Sequence, residues 1–227
     1  MDITIHPIAT MRSDFPSKFG IPRQSGLVDS LRSTIIFEPE YRNSDALRGI
    51  EDFSHLWIIW QFSEAVRTEW TPTVRPPRLG GNTRMGVFAT RSPFRPNSLG
   101  LSCVKLLGIE QTEENGTVIH VGGADLMDGT PILDVKPYIP YSDCYPDALG
   151  GFTATADDYL LNVDFPSHLL EKLPPQKRKS AVEVLSHDPR PSYQRNPERI
   201  YGLCFAAFDI RFTVENGTLY VKEVIAE

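Results

Sequence analysis

Apolar positions along this chain recur mostly at a spacing of two, the period of a half-buried strand, and seldom at helical spacing. Ile3 and Ile5 alternate with polar neighbours, and Ser33–Phe37 reads as a second short strand. The run Leu56-Trp57-Ile58-Ile59-Trp60 is aromatic and β-branched and too short for a helix, so it predicts a buried strand. Gly86–Thr90 and Gly100–Leu107 read as further strands. One short helix is expected over Asn43–Ile50, where polar cap candidates precede Ala46 and Leu47.

Two hairpins are signalled by turn chemistry. Asn115-Gly116 separates Leu106–Glu110 from Thr117–Val121, and Asn216-Gly217 separates Asp209–Val214 from Thr218–Val224. In the second, Ile210, Phe212 and Val214 alternate with Asp209, Arg211 and Thr213. Strands at short spacing with turns between them predict a sheet that closes on itself or nearly so, not βαβ units. Between Pro140 and Gly151 the pattern loosens, which places a boundary there, with domains 1–145 and 146–227. Beyond it, Ser167–Leu173 and Gln176–Leu185 read as two short helices around Pro174-Pro175. The expected fold is mainly β, a sheet closed on itself or nearly so followed by a small α+β domain.

Composition narrows the function classes. A formal net charge of −6 argues against indiscriminate coating of nucleic acid. The average conceals a local reversal: Arg67, Arg75, Arg78, Arg84, Arg91, Arg95 and Lys105 face one acid, Glu69, across that stretch. Arginines mixed with Gly and Pro suit a polyanion or a ligand carboxylate better than a merely solvated face. No apolar run approaches the roughly 20 residues of a membrane span, and the start lacks the pattern of a signal peptide, so a cytoplasmic protein without membrane contact is expected. Cys103, Cys144 and Cys204 are widely spaced and the five histidines show no ligand spacing, so neither a disulfide framework nor a metal is expected.

Gly-rich nucleotide loops, the G-x-S-x-G elbow and H-E-x-x-H are all missing from the sequence. Three other segments carry candidate chemistry. Arg91-Ser92-Pro93-Phe94-Arg95-Pro96-Asn97-Ser98-Leu99-Gly100 is a loop stiffened by two prolines that presents many donors. Asp125-Leu126-Met127-Asp128-Gly129-Thr130-Pro131 places two acids around a turn. The strand after it puts Asp134, Lys136 and Tyr138 on one face, either a catalytic constellation or a surface ladder of charges. Pro22-Arg23-Gln24 lies in a Gly- and Pro-bearing loop suited to close approach of a ligand. His55, at the head of an apolar strand, reads by itself as a satisfied strand-end histidine.

Four stretches, Lys18–Gln24 (KFGIPRQ), Gly49–Trp57 (GIEDFSHLW), Gly86–Ser102 (GVFATRSPFRPNSLGLS) and Asp125–Asp143 (DLMDGTPILDVKPYIPYSD), together resemble the TsaA-like, or TrmO, family of tRNA methyltransferases. Asp188–Gln194 and the last hairpin are similar to that family's C-terminal domain. Ser25 departs from it, standing where proline is expected after the PRQ motif.

The resemblance implies that the sheet is a small, non-Rossmann β-barrel, in a homodimeric enzyme that methylates N6 of threonylcarbamoyladenosine beside the tRNA anticodon, at position 37. It implies S-adenosylmethionine as the cofactor, contacted by Pro22, Arg23, Gln24, His55, Leu56, Arg91, Leu101, Asp128, Gly129, Thr130 and Pro131. Because N6 of that base is a poor nucleophile with an acidified N–H, Asp134 or Tyr138 is expected to accept or relay its proton, with Lys136 tuning whichever does. Arg75, Arg78, Arg84, Arg95, Lys177, Arg178 and Lys179 are the expected phosphate contacts. Two other readings stay open: a regulator that binds S-adenosylmethionine or RNA without transfer, and a methyltransferase of the same fold with another substrate.

Overall fold

The structure, a computed structural model, describes residues 3–67, 69–154, 159–191 and 196–227; the side chain of Arg78 and residues 192–194 of the Asp188–Gln194 segment lie outside this description. Among the described residues the N-terminal portion contains eight strands: β1 (Ala9–Arg12), β2 (Arg32–Phe37), β3 (His55–Gln61), β4 (Thr73–Val74), β5 (Met85–Gly86), β6 (Leu99–Thr112), β7 (Gly116–Gly122) and β8 (Pro131–Pro137). A single helical turn, α1 (Pro140–Asp143), follows them. Six of the strands pair in the order β1-β2-β7-β6-β3-β8, and β8 returns antiparallel to β1, so the sheet closes into a barrel. Closure removes the edges at which strands of other chains could pair. β6 pairs with β3 through Lys105 and with β7 from Lys105 onward, and an irregularity at Leu106–Gly108 bends it between the two.

Side chains alternate in and out around this sheet. On β3, Leu56, Ile58 and Trp60 are buried with Met11, Ile35, Val104, Ile119 and Ile132, while Trp57 and Ile59 are half-buried on the outside. The apolar run of β3 is therefore not buried on both faces; its outer side chains form an apolar exterior stripe.

The C-terminal portion adds β9 (Asn162–Asp164), α2 (Ser167–Leu170), α3 (Pro175–Ser186), β10 (Tyr201–Phe205), β11 (Phe208–Glu215) and β12 (Thr218–Ala226). Its strands form one sheet in the order β10-β11-β12-β9. α3 starts at Pro175, whose fixed φ and missing N–H suit a first helical position. In the last hairpin Asn216 (φ 48°) and Gly217 (φ 77°) both take the left-handed conformation that a two-residue turn of this kind requires. Ile210, Phe212 and Val214 point inward as the alternation predicts. Phe15, Val28 and Leu31, from the connection between β1 and β2, are buried in this second core with Leu173, Leu185, Leu203 and Phe205. The two cores thus share one long N-terminal connection.

Some expectations fail. Ile3 and Ile5 are exposed and no strand includes them; the first strand begins at Ala9, whose side chain and that of Met11 reach the core. Asn43–Ile50 forms a 3₁₀ turn over Ser44–Leu47, capped by the Asn43 carboxamide oxygen accepting from the Asp45 amide at 3.0 Å, rather than a helix. Gly86–Thr90 gives one residue, Gly86, of the two-residue β5 and a 3₁₀ turn over Val87–Ala89, with only Val87 buried.

Candidate active site

A cavity of about 820 Å³ opens where β3 ends, β6 begins and β8 begins. Its wall gathers Lys18 and Ile21–Gln24, the stretch from Trp60 to Arg67, Thr90, Arg91 and Pro93–Arg95 with Leu99–Leu101, and Asp125, Met127 and Thr130. That volume suits a small organic ligand. Its floor is built by a pairing across the sheet: Trp60 lies opposite Gly100, and a Cβ on Gly100 would stand 2.2 Å from the indole ring. The glycine lets the indole lie flat on β6, where it also packs against Phe62, with ring centroids 4.1 Å apart.

A chain of hydrogen bonds runs from this floor to a carboxylate. The Trp60 indole N–H donates to the Ser102 hydroxyl at 3.0 Å, and that hydroxyl donates to Asp125 Oδ1 at 2.6 Å. Burial pushes the Asp125 carboxyl above its ordinary range, against the opposing pull of Ser102, the amides of Asp125 and Ser25, and the charge of Arg91. The amide donor from Ser25 is one that a proline at that position could not supply. The two loops meet because neither has a side chain at the contact: the Gly26 amide donates to the Gly123 carbonyl at 2.9 Å, and a Cβ on Gly123 would lie 3.3 Å from the Gly26 backbone.

Arg91 faces the same space and donates to the Gln24 side-chain oxygen, joining two motifs far apart in sequence. Its loop is held from within: Arg95 donates to the carbonyls of Thr90 at 3.0 Å and Ser92 at 3.3 Å, and the Ser92 hydroxyl accepts from the Phe94 amide at 3.2 Å. A loop ordered in this way before a ligand arrives binds at a smaller entropic cost.

The second core holds the Pro22–Gln24 loop. Phe19 and Ile21 pack against it, and Gly20 (φ 86°) comes so close that a Cβ there would sit 2.1 Å from a Leu203 methyl. Nearby, the Lys177 ammonium pairs with Asp14 at 2.6 Å. Arg178 donates to the carbonyls of Leu173 and Glu171 at the end of α2, and Lys179 is exposed with a 3.6 Å pairing to Glu183. Of this expected phosphate-binding cluster, two cations thus serve the fold and one faces solvent. Arg75 and Arg84 are exposed on the segment between β3 and β6, Arg84 donating to the Thr73 hydroxyl at 3.2 Å, while Arg95 lines the cavity.

Pro22, Arg23, Gln24, Arg91, Leu101 and Thr130 share the cavity wall. Asp128, Gly129 and Pro131 flank Thr130 but their tight turn is committed to the fold. The amides of Asp128, Gly129 and Thr130 donate to Phe15, Met11 and Met127, and the Asp128 carboxylate accepts from the Ser13 amide at 3.0 Å and pairs with Arg12 at 3.3 Å. His55 and Leu56 lie at the other end of β3, about 16 Å and about 13 Å from Trp60 at strand spacing.

Asp134, Lys136 and Tyr138 lie outside the cavity, on the barrel's exterior. Ile59 pairs with both Leu101 and Asp134, and Trp57 with both Cys103 and Lys136, so these residues share one outward face. Asp134 stands about 10 Å, two strand spacings, from Leu101. It pairs with Lys136 at 2.9 Å, which raises the lysine's pKa. Desolvation and the neighbouring Cys144 push the Tyr138 phenol upward, which keeps it a donor near neutral pH. Trp57 donates its indole N–H to Asp143 at 2.9 Å; with the Ile139 amide at 2.8 Å this holds the Asp143 carboxyl below its usual range.

The sequence places Trp60 in a buried strand and Arg67 in the basic stretch without bringing either to the cavity; it gives no signal for Phe62 and no role to Asp125. The signal for Asp125 is its neighbour Ser102, polar and buried within the apolar first half of β6, but their contact is a matter of register. Among the described residues no group of three His, Cys, Asp or Glu side chains could hold a metal, and no helix is long and apolar enough to cross a membrane.

The chain matches the tRNA-methyltransferase O N-terminal domain over residues 10–144 and the TrmO C-terminal domain over residues 158–227. This chain belongs to the TrmO family. It is 42% identical over 218 residues to the tRNA (adenine(37)-N6)-methyltransferase of Escherichia coli (strain K12), covering 92% of each chain. A protein of the same name from Eikenella corrodens is 46% identical over 175 residues, 77% of this chain and 98% of that one. The crystal structure of TrmO from Pseudomonas aeruginosa superposes with a TM-score of 0.80 at 32% identity, covering 100% of both chains. In this TrmO-family chain the cavity is where the PRQ, Arg91 and DGTP motifs converge.

Proposed function

We propose that this chain transfers a methyl group from S-adenosylmethionine to N6 of adenosine 37 in tRNA, with the threonylcarbamoyl-modified base as acceptor. The carrying observation is the convergence of three separated motifs on one cavity that holds both a guanidinium, Arg91, and a recessed carboxylate, Asp125. Its relatives' names supply the reaction class. The walls fit the cofactor: Arg91 for its carboxylate, Gln24 and Arg23 for polar contacts, and Ile21, Phe62, Leu101 and Met127 for the adenosine. Bound there, S-adenosylmethionine supplies an electrophilic methyl on a sulfonium. Such a reaction takes place where tRNA is, in the cytoplasm.

The chain's own residues supply alignment and a base. The N6 lone pair is delocalised into the purine and the carbamoyl group, so removal of the N–H proton during transfer matters more than for a simple amine. Asp125 is the base best placed in the cavity: recessed, with its pKa raised toward the working range, and fixed by Ser102. Asp134, already paired with Lys136, and Tyr138 act from the exterior face. A second copy of the chain on that face joins the two. Leu101 belongs both to the cavity wall and to the exterior face, where it is 54% exposed, and Tyr141 (92%) and Leu149 (99%) on the following segment are almost bare. In such a homodimer the Asp134–Tyr138 strand and the His55–Leu56 end of β3 reach the partner's cavity.

Mixing tests this arrangement. Arg91→Ala and Tyr138→Phe chains, each impaired alone, regain about one quarter of wild-type activity when refolded together, because half the dimers are mixed and each of those has one intact site. Activity no higher than the sum of the separate variants places all contacts in one chain. The acceptor is tested by competition: tRNA with the threonylcarbamoyl group is methylated ahead of the same tRNA without it, and equal rates contradict that part of the proposal.

A further inference from the structure

The segment between β3 and β6 presents aromatic surface for which the fold has no use. Trp70 is 49% exposed and Phe88 72%, and their rings lie 6.1 Å apart at 31°. The guanidinium of Arg67 sits 3.8 Å over the ring of Phe94, which is also exposed. The pair is held in place: β4 and β5 pair through Thr73–Gly86 and Val74–Met85, the Val87 amide donates to the Pro72 carbonyl at 2.9 Å, and Val87 anchors the hairpin in the interior. Large aromatic faces fixed side by side in water mark a surface that binds a partner.

Position and charge identify the partner. Arg67 and Thr90 line the cavity, Trp70 lies three residues beyond the first and Phe88 two residues before the second, so the pair stands within about 10 Å of the cavity rim. From Phe62 to Ser98 the acids are Glu64 and Glu69, while Arg67, Arg75, Arg78, Arg84, Arg91 and Arg95 oppose them in a chain of net charge −6. The partner is thus an anion that also offers flat apolar faces. Unpaired nucleobases on a phosphate backbone meet both demands, and bases stacked inside a duplex do not.

We infer that Trp70 and Phe88 form a stacking platform for unpaired nucleobases of the tRNA anticodon loop, beside the adenosine that enters the cavity. This rests on the function proposed above and adds to it how the loop is held. Phosphates flanking the stacked bases meet Arg75 and Arg84. Affinity then has a sequence-tolerant stacking part and a salt-sensitive part, and the platform favours an open loop over a helix.

The experiment uses the full chain, an anticodon stem-loop RNA, and the same RNA annealed to its complement. Expected results are quenching of tryptophan fluorescence by the stem-loop that is strongly reduced in Trp70→Leu, where Trp60 on the cavity floor still reports binding, and weak quenching by the duplex. The Trp70→Leu, Phe88→Ala double variant loses about 5- to 100-fold in kcat/KM for tRNA, and Trp70→Phe retains most of it. S-adenosylmethionine binding, measured by calorimetry, is unchanged in all three, which also shows that they fold. Wild-type RNA affinity and kcat/KM in the double variant overturn the platform, as does equal quenching by loop and duplex. A wild-type chain that neither binds nor methylates the stem-loop overturns the functional reading, and the platform with it.

Discussion

Asp125→Asn lowers the turnover of methyl transfer by about 100- to 10,000-fold, the range for loss of a positioned base, and changes the affinity for S-adenosylmethionine far less. Asn keeps the shape and can still accept from the Ser102 hydroxyl, which donates to Oδ1 at 2.6 Å. What it loses is the capacity to take a proton. Burial holds the Asp125 carboxyl above its usual range, so the wild type gains activity as pH rises through that raised value and the variant does not. Stability runs the other way. A carboxyl whose folded pKa exceeds its unfolded one stabilises the fold when protonated, and that contribution is lost as pH rises from the unfolded value through the folded one. Above that window the Asn variant is therefore at least as stable as the wild type while nearly inactive. A variant with weakened cofactor binding and unchanged turnover shows instead that Asp125 anchors the cofactor.

Gly100→Ala destabilises the chain by about 1–3 kcal/mol, the usual range for overpacking a core. The added methyl would stand 2.2–2.5 Å from three atoms of the Trp60 indole. The indole has little room to move, since its N–H is bonded to Ser102 and Phe62 packs against it. Any shift travels along the hydrogen bonds from Trp60 through Ser102 to Asp125, so turnover falls by more than the loss of folded protein explains. Thermal melting and activity measured on the same preparation separate the two effects. A variant that melts at the wild-type temperature with wild-type turnover contradicts the tight floor.

What the sequence showed and what it hid have physical causes. The Asn216-Gly217 hairpin was legible because turn chemistry and strand alternation are both local and agree. The three cavity loops were legible as segments because Pro and Gly surround unusual densities of functional groups. Their convergence was not, since Gln24 and Arg91 meet only through the closure of the sheet. The run Leu56–Trp60 looked uniformly buried because composition cannot tell a strand buried on both faces from one buried on a single face; only Leu56, Ile58 and Trp60 point inward. Gly86–Thr90 looked like a strand, yet the segment containing it is ordered by a two-residue ladder and one buried valine. Asp125 gains its importance from a contact with Ser102, which depends on the register of two distant segments.

The most direct measurement is the mass of the nucleoside at position 37 after the full chain has acted on tRNA with S-adenosylmethionine. The expected result is a gain of one methyl on N6 of that adenosine, with the wild-type chain and not with Arg91→Ala. Cofactor binding without methyl at position 37, or methyl on another nucleoside, contradicts it.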